Sequence, residues 1–170
     1  MIELVLGGAR SGKSRYAESV AKASGLKLWY IATAGVHDDE MRQRVEHHIA
    51  GRQGQWQTIE EPLALAVRLK EIARPDRSVL VDCLTLWLSN NLFSEIPNSW
   101  EQQRQQLLNV LAELPGQIIL VSNEVGLGVV PMGEINRRFV DEAGRLHQAI
   151  AQRADKVTFV AAGLPLTLKS

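Results

Sequence analysis

The chain has 170 residues, enough for one compact domain with a substantial core, so we predict a single domain over residues 1–170. Its 19 lysine and arginine residues balance its 19 acidic residues, which argues against a nucleic-acid partner, and no run reaches the roughly 20 apolar residues of a membrane span. The single cysteine, Cys83, excludes an internal disulfide and, together with the lack of a signal-peptide pattern, predicts a cytoplasmic protein.

Apolar, β-rich runs alternate with helical patterns along the whole chain. The predicted strands are Glu3–Leu6, Leu28–Ala32, Ser78–Asp82, Ile118–Ser122 and Lys156–Val160, with an edge strand near Gly163–Leu168. The predicted helices are Lys13–Ser24, Asp39–Arg52, Pro62–Ala73, Trp100–Leu114 and Asn136–Ala154. The predicted loops are Ala34–Asp38, Gly54–Glu61, Ser94–Ser99 and Val125–Gly133. This alternation predicts an α/β fold with a mostly parallel sheet and helices on both faces.

The first predicted strand leads directly into the segment Gly7 to Ser14, Gly-Gly-Ala-Arg-Ser-Gly-Lys-Ser. This segment fits the phosphate-binding loop pattern G-x-x-x-x-G-K-[ST] between a strand and a helix. Its glycines would let backbone N–H groups turn inward around an anion at the positive end of the helix. Lys13 would then reach the β and γ phosphates of a nucleotide, and the Ser14 hydroxyl would bind Mg²⁺.

A carboxylate, Asp82, ends the apolar strand that follows. This is the form of the acidic partner that helps to hold Mg²⁺ opposite a phosphate-binding loop, although a buried strand that ends in a turn gives the same pattern. Asn123 and Glu124 also follow a predicted strand, and ligands of open α/β sheets bind beyond such strand ends. We therefore predict that Ser14 and Asp82 bind the metal, with Asn123 and Glu124 as further candidates for the ligand edge.

Histidines occur in two of the predicted helices. Arg44, His48 and Arg52 follow one another at spacings of four, so on a helix they share one face. An imidazole between two guanidiniums suits a phosphate, because arginine forms bidentate contacts and neutral imidazole can act as a nucleophile. The alternative interpretation is that these charged and polar residues form an ordinary helix face that contacts only solvent. His147, in the last predicted helix, is expected to be a surface or boundary residue.

Several segments together resemble one family, the bifunctional adenosylcobinamide kinases and adenosylcobinamide-phosphate guanylyltransferases. The segments are Gly7–Arg15, Tyr30–Thr33, Asp38–Met41, Arg44–His48, Trp56 with Glu60, Val81–Thr85 and Ser122–Pro131. They occur in the family's order and span most of the chain, so the combination is far more specific than a phosphate-binding loop alone. The resemblance implies a RecA-like P-loop NTPase fold, a homotrimer and a role in cobalamin biosynthesis.

The resemblance also implies two reactions, both with Mg²⁺ as the cofactor. In the first, ATP or GTP phosphorylates the aminopropanol hydroxyl of adenosylcobinamide. In the second, GMP passes from GTP to adenosylcobinamide phosphate through a GMP-histidine intermediate, with release of pyrophosphate. The resemblance places the reactive histidine at His48, with the adjacent His47 as the alternative register. A plain small-molecule kinase, or a nucleotide-dependent switch that docks to a partner, is the alternative function.

The nucleotide contacts that the resemblance implies fall in four parts of the chain. They are the loop residues Gly7, Gly8, Ala9, Arg10, Ser11, Gly12, Lys13 and Ser14, then Thr33, Ala34 and Gly35, then Ile49, Ala50, Gly51 and Arg52, and finally Glu60 and Asp82. Together these residues are expected to bind GTP.

Overall fold

A computed structural model describes residues 1–34 and 55–170, which form a seven-stranded sheet with helices on both faces. The strands are β1 (Ile2–Gly7), β2 (Lys27–Ala32), β3 (Trp56–Glu60), β4 (Arg77–Asp82), β5 (Gln117–Asn123), β6 (Lys156–Ala161) and β7 (Leu164–Lys169). The helices are α1 (Lys13–Ala23), α2 (Leu65–Ile72), α3 (Leu84–Leu92), α4 (Ser99–Val110) and α5 (Glu134–Arg153), with a 3₁₀ turn at Leu111–Glu113.

The strands lie in the order β3-β2-β4-β5-β1-β6-β7. All neighbouring pairs are parallel except β6 and β7, which form an antiparallel hairpin at one edge. The parallel strands therefore end along one edge of the sheet, and β5 lies between β1 and β4 at its centre. This arrangement brings the end of the strand before the phosphate-binding loop close to the end of the strand that carries Asp82.

Two apolar layers cover the faces of the sheet. Helix α1 packs Ala17 and Ala21 against side chains such as Ile119 on one face. The other four helices cover the opposite face, where Trp87 and Leu146 are almost completely buried. Full burial of an aliphatic or aromatic side chain stabilises the fold by about 1.5–3 kcal/mol, so this larger layer holds the sheet rigid beneath the loops. The predicted α/β class with helices on both faces is confirmed.

Two elements differ from the sequence prediction. The predicted loop Gly54–Glu61 is wrong in its last part, because Trp56–Glu60 is a parallel edge strand paired with β2. A helix at Leu84–Leu92 was not predicted, since its polar residues, Thr85, Ser89, Asn90 and Asn91, do not lie on one side of the helix. Leu84 and Leu88 are fully buried between the sheet and the neighbouring helices, so no polar face marks the helical period. The predicted edge strand near Gly163–Leu168 is confirmed.

The predicted helix Asp39–Arg52 lies outside the described residues. Among the helices of the described ranges, none is long and apolar enough to cross a membrane.

Candidate functional site

The phosphate-binding loop is packed so tightly at its start that only glycine fits. A Cβ atom on Gly7 would lie 2.5 Å from the Val160 carbonyl oxygen and 2.6 Å from Ser11 Oγ. Both distances are far below normal contact, and one of the two groups is backbone that has little room to move. Gly7 is therefore required by the way β1, the loop and β6 meet.

The turn between β6 and β7 supports the far side of the loop. The Gly163 N–H donates a hydrogen bond to the Ser11 carbonyl oxygen at 2.7 Å. Gly12 has a φ of +94°, and a Cβ on it would lie 3.0 Å from Gly163 Cα. This support by the terminal hairpin was not predicted, although the Ala162-Gly163 pair before the edge strand is a turn signal.

Lys13 is the first residue of α1 and reaches back over the loop. The residue is only 9% exposed, and its Nζ donates a hydrogen bond to the Gly8 carbonyl oxygen at 3.1 Å. A buried ammonium at a helix N-terminus creates a strong local positive potential. The site can therefore attract phosphate groups although the chain as a whole is neutral.

A cleft of about 1040 Å³ opens above this loop, which is large enough for a nucleotide and part of a second substrate. Its walls combine the loop with the start of α1, the end of β5 and the hairpin turn. Within the described ranges, the lining residues are Ala9, Arg10, Ser11, Gly12, Lys13, Ser14, Arg15, Glu18, Asn123 and Gly163. Asn123 was a sequence candidate, whereas Arg15, Glu18 and Gly163 were missed.

Asp82 ends β4 at the same edge of the sheet and is half-buried. In the register of the sheet, Asp82 is aligned with Ala32 of β2 and Val121 of β5. The next residue of the β2 segment, Thr33, fixes this strand end. Its hydroxyl donates to the Cys83 carbonyl oxygen at 2.6 Å and accepts the Cys83 N–H at 2.8 Å. The backbone of Thr33 is engaged as well, because its N–H donates to the Asp82 carbonyl oxygen at 3.3 Å and its carbonyl oxygen accepts from Asn90 Nδ2 at 2.8 Å. Thr33 therefore holds the two strand ends together, and its nucleotide contact stays a prediction.

Glu60 lies in the same row of strand ends but away from the phosphate-binding loop. It is aligned with Ala32 on the edge strand β3, and it is exposed. Four strand spacings separate β3 from β1, which corresponds to roughly 19 Å along the sheet edge. Glu60 therefore fits the far end of an extended ligand and not its phosphates.

Comparison with known proteins agrees with this arrangement. A family model described as cobinamide kinase / cobinamide phosphate guanyltransferase matches residues 3–168. The chain belongs to this family. It is 59% identical to the bifunctional adenosylcobalamin biosynthesis protein CobP of Pseudomonas aeruginosa, over 99% of this chain and 98% of the relative. It is 38% identical to the bifunctional adenosylcobalamin biosynthesis protein CobU of Escherichia coli, over 99% of this chain and 100% of the relative.

The fold also resembles a solved structure, that of the RadB recombinase. The two superpose with a TM-score of 0.50 at 17% identity, over 93% of this chain and 73% of the recombinase. At this identity the likeness concerns the fold alone, and it confirms the predicted RecA-like P-loop architecture. The protein is therefore an enzyme of the cobinamide kinase / guanyltransferase family, built on a RecA-like sheet.

Several site residues that the family resemblance predicts lie outside the described residues. They are Gly35, His48, Ile49, Ala50, Gly51 and Arg52, together with the alternative histidine His47. Their roles in this family member stay predictions.

The donor chemistry of the cleft suits magnesium. Ser14 follows Lys13 on α1, and Asp82 ends the strand that is separated from β1 by β5 alone. Hydroxyl and carboxylate oxygens are the hard ligands that Mg²⁺ prefers, and it completes its shell with waters and substrate phosphates. Within residues 1–34 and 55–170, no group of three or more histidine, cysteine, aspartate or glutamate side chains could hold a metal by itself. Ser14 and Asp82 would leave most coordination positions of the metal to waters and substrate phosphates.

Cys83, next to Asp82, does not supply a nucleophile. It is buried, and burial raises the pKa of its thiol above the usual value, with the Asp82 charge as a second cause. A protonated, buried thiol is unreactive, as the apolar sequence around Cys83 predicts.

His147 is buried, and the expectation of a surface or boundary position is wrong. It lies on the inner face of α5, where Nε2 is 2.8 Å from Ser122 Oγ and Nδ1 faces Glu124 Oε2 at 3.5 Å. Burial lowers the pKa of the imidazole, and the nearby Glu124 carboxylate only partly opposes this effect. The sequence gives no clear signal for this position, because the polar partners come from a distant strand.

The lowered pKa of His147 predicts a pH-dependent stability. As pH falls below about 6.5, His147 takes up a proton in the unfolded chain but stays neutral in the folded protein. Protonation therefore favours the unfolded chain, and the free energy of unfolding decreases. His147→Asn keeps a polar side chain but does not titrate, so its unfolding should depend less on pH. Urea unfolding of both proteins at about pH 7.5 and about pH 5.5 checks this. The same loss of stability in both proteins would contradict it.

Proposed function

We propose that this enzyme phosphorylates adenosylcobinamide with ATP or GTP and then transfers GMP from GTP to adenosylcobinamide phosphate, giving adenosylcobinamide-GDP and pyrophosphate. The observation that carries this proposal is the phosphate-binding loop, in which the largely buried Lys13 and Ser14 line a large cleft at the edge of the sheet where the strand carrying Asp82 also ends. The membership of nearly the whole chain in the cobinamide kinase / guanyltransferase family supports the identity of the acceptor.

In the first reaction the acceptor hydroxyl oxygen attacks the γ-phosphorus of the nucleotide. A new O–P bond forms, the bond from the γ-phosphorus to the bridging oxygen of the diphosphate breaks, and the hydroxyl proton leaves to solvent or a nearby base. Lys13 and the backbone N–H groups of the loop would stabilise the charge that develops on the leaving diphosphate. Bound Mg²⁺, held by Ser14 and Asp82, would supply further charge neutralisation at the phosphates.

In the second reaction we assign the nucleophile to His48, a residue outside the described ranges, on the family resemblance and on its position between Arg44 and Arg52 in the sequence. A neutral imidazole nitrogen attacks the α-phosphorus of GTP, so that an N–P bond forms and pyrophosphate leaves. The phosphate oxygen of the corrinoid then attacks the same phosphorus and breaks the N–P bond. Two steps avoid bringing two polyanions together at once.

Asp82→Asn should raise the Mg²⁺ concentration needed for half-maximal rate by about tenfold or more, because the amide oxygen carries no charge with which to hold the cation. A magnesium titration of the phosphoryl-transfer rate measures this. Asp76→Asn is the matched control, since Asp76 precedes the opposite end of β4 and forms an exposed ion pair with Lys27 at 2.8 Å. Equal magnesium dependence in Asp82→Asn and the parent protein would give Asp82 a structural role only.

The proposal is tested by incubating the protein with Mg²⁺ and GTP labelled on the α-phosphate, quenching in base and mapping the label by peptide mass spectrometry. Phosphoramidates survive base and hydrolyse in acid. A GMP adduct on His48 that disappears on addition of cobinamide phosphate supports the two-step transfer, whereas an adduct on His47 corrects the register. If a folded, GTP-binding protein forms no adduct, the plain kinase becomes the better proposal.

We also propose that the enzyme is a homotrimer, as the family resemblance implies. The outer strand β7 exposes an apolar row, with Leu164, Leu166 and Leu168 at 72%, 61% and 57% exposure. Such a row on an edge strand is an unusual surface for a protein that stays monomeric. Sedimentation velocity should give the mass of three chains, and a single-chain mass at micromolar concentration would contradict the assignment. The cytoplasmic location stays a prediction from the sequence.

A further inference from the structure

A line of buried polar side chains connects helix α5 with the end of the central strand. The hydroxyls of Thr85 and Ser122 are 3.1 Å apart, and His147 Nε2 lies 2.8 Å from Ser122 Oγ. These three residues are only 7%, 1% and 6% exposed. They belong to three elements, the start of α3, the last part of β5 and the middle of α5, so none of the contacts follows from local sequence.

One assignment of donors and acceptors satisfies all the hydroxyls of this line. The backbone N–H of Asn123 donates to Thr85 Oγ1 at 2.7 Å, and Thr85 can in turn donate to Ser122. In the Nδ1–H tautomer of neutral His147, Ser122 donates to Nε2 and the Nδ1 proton faces the Glu124 carboxylate at 3.5 Å. Each hydroxyl thus both accepts and donates, so the buried hydroxyls are satisfied.

One end of the line reaches the phosphate cleft. Asn123 lines the cleft, and in the sheet it is aligned with Gly7, the first residue of the phosphate-binding loop. The next residue, Glu124, donates its backbone N–H to the Gly7 carbonyl oxygen at 3.0 Å. Because β5 separates β1 from β4, the strand end that carries Asn123 lies between the strand that leads into the loop and the strand that ends at Asp82.

The position of the polar residues within β5 argues for a role at the cleft. The strand begins with Gln117, which accepts a hydrogen bond from Ser78 at the opposite edge, is apolar from Ile118 to Val121, and becomes polar again at Ser122 and Asn123 on the ligand side. Apolar side chains could fill the same interior space around Ser122 without the cost of burying polar groups. The polar line is therefore explained by what it holds in place, namely the strand end that faces the ligand.

We propose that Asn123 is a substrate-contacting residue of the phosphate cleft and that the line formed by Thr85, Ser122 and His147 positions it. This inference rests on the proposed function, because the bound phosphate groups are those of a nucleotide or a phosphorylated acceptor. The Asn123 amide offers two N–H donors and one carbonyl acceptor, so it can bind a phosphate oxygen or orient the attacking hydroxyl. Thr85, Ser122 and His147 are positioning residues, since they act through Asn123.

The first test compares Thr85→Val with Thr85→Ser. Valine has nearly the shape of threonine but no hydroxyl, so the Asn123 N–H loses its acceptor, whereas serine keeps it. We expect Thr85→Val to lower kcat about tenfold, with the KM for nucleotide changed less than about twofold, because Lys13 and the loop bind the nucleotide without Thr85. Thr85→Ser should retain kcat within about twofold of the parent.

A control variant separates positioning from general destabilisation. Ile150→Val lies on α5 in the apolar core, one helical turn from His147, and loosens the packing without touching the polar line. It should lower the thermal midpoint but leave kcat unchanged. Normal kcat in Thr85→Val would overturn the proposal. An equal loss in Thr85→Ser and Thr85→Val would also overturn it, since packing alone would then explain the effect.

A second measurement does not depend on turnover. In NMR spectra of the ¹⁵N-labelled protein, the Asn123 side-chain amide signal should shift when Mg²⁺ and a non-hydrolysable GTP analogue are added. Hydrogen exchange at the Asn123 backbone amide should be at least about tenfold faster in Thr85→Val than in the parent. If the amide signal does not respond to the analogue, the proposal is wrong, whatever the acceptor. A protein that shows both NMR effects but transfers nothing to a corrinoid would refute the proposed function and retain the role of Asn123.

Discussion

Replacing Lys13 by alanine is expected to slow both phosphoryl transfer and guanylyl transfer by on the order of 100-fold or more. The Lys13 ammonium is buried, and its Nζ lies over the loop, 3.1 Å from the Gly8 carbonyl oxygen, so it is held where charge develops on the leaving phosphates. Because both proposed reactions would use the same loop, both rates should fall. Steady-state assays with separate detection of ADP or GDP and of pyrophosphate measure the two losses independently.

Lys22→Ala is the matched control for this variant. Lys22 lies on the same helix, in its last turn, and is exposed. Its removal should leave both rates within about twofold of the parent, because a solvated charge at the far end of α1 is screened from the loop. If Lys13→Ala retained the rates of the parent, the loop would not have the proposed phosphate-binding role.

Replacing His48 by alanine is expected to abolish guanylyl transfer while at least part of the kinase activity remains. Without the imidazole there is no nitrogen to form the N–P bond, whereas phosphorylation of the acceptor hydroxyl needs only the phosphate-binding loop, the metal and the acceptor. The loss should exceed that of Lys13→Ala for this reaction, because the covalent route is removed rather than weakened. Release of labelled pyrophosphate and formation of labelled corrinoid phosphate are measured in parallel.

His47→Ala provides the internal comparison, since the adjacent histidine differs by one position along the sequence. It should keep guanylyl transfer within a few-fold of the parent. If His47→Ala abolished guanylyl transfer and His48→Ala retained it, the nucleophile would be His47. Equal loss of both activities in His48→Ala would instead indicate a shared binding role or a folding defect. Circular dichroism of each variant separates these two explanations.

The features that local sequence determines were predicted well. The phosphate-binding loop is encoded by a contiguous segment from Gly7 to Ser14, so its pattern needs no tertiary information. Asp82 was predicted at a strand end because an apolar run stops there, and the structure places it at that end of β4. The edge position of the last strand followed from Pro165, which cannot donate to a ladder of hydrogen bonds.

The features that depend on distant contacts were missed. Trp56–Glu60 is short and half-exposed, so it becomes a strand only because β2 offers it a partner. His147 appeared to be a boundary residue because its partners Ser122 and Glu124 are more than twenty positions earlier in the chain. The contact between Gly163 and the phosphate-binding loop joins residues that are about 150 positions apart, and no pattern within a short window reports it.

The contact between Gly163 and Ser11 connects the phosphate-binding loop with the outer edge of the sheet. The Ser11 carbonyl oxygen accepts its hydrogen bond from Gly163, and β7 with its apolar row begins at the very next residue. An ordered hairpin therefore helps to order the loop through this hydrogen bond. By thermodynamic reciprocity, an ordered loop helps to order the hairpin by the same free energy. In the proposed homotrimer, nucleotide binding that orders the loop would therefore favour coverage of the outermost strand, and coverage of that strand would favour nucleotide binding.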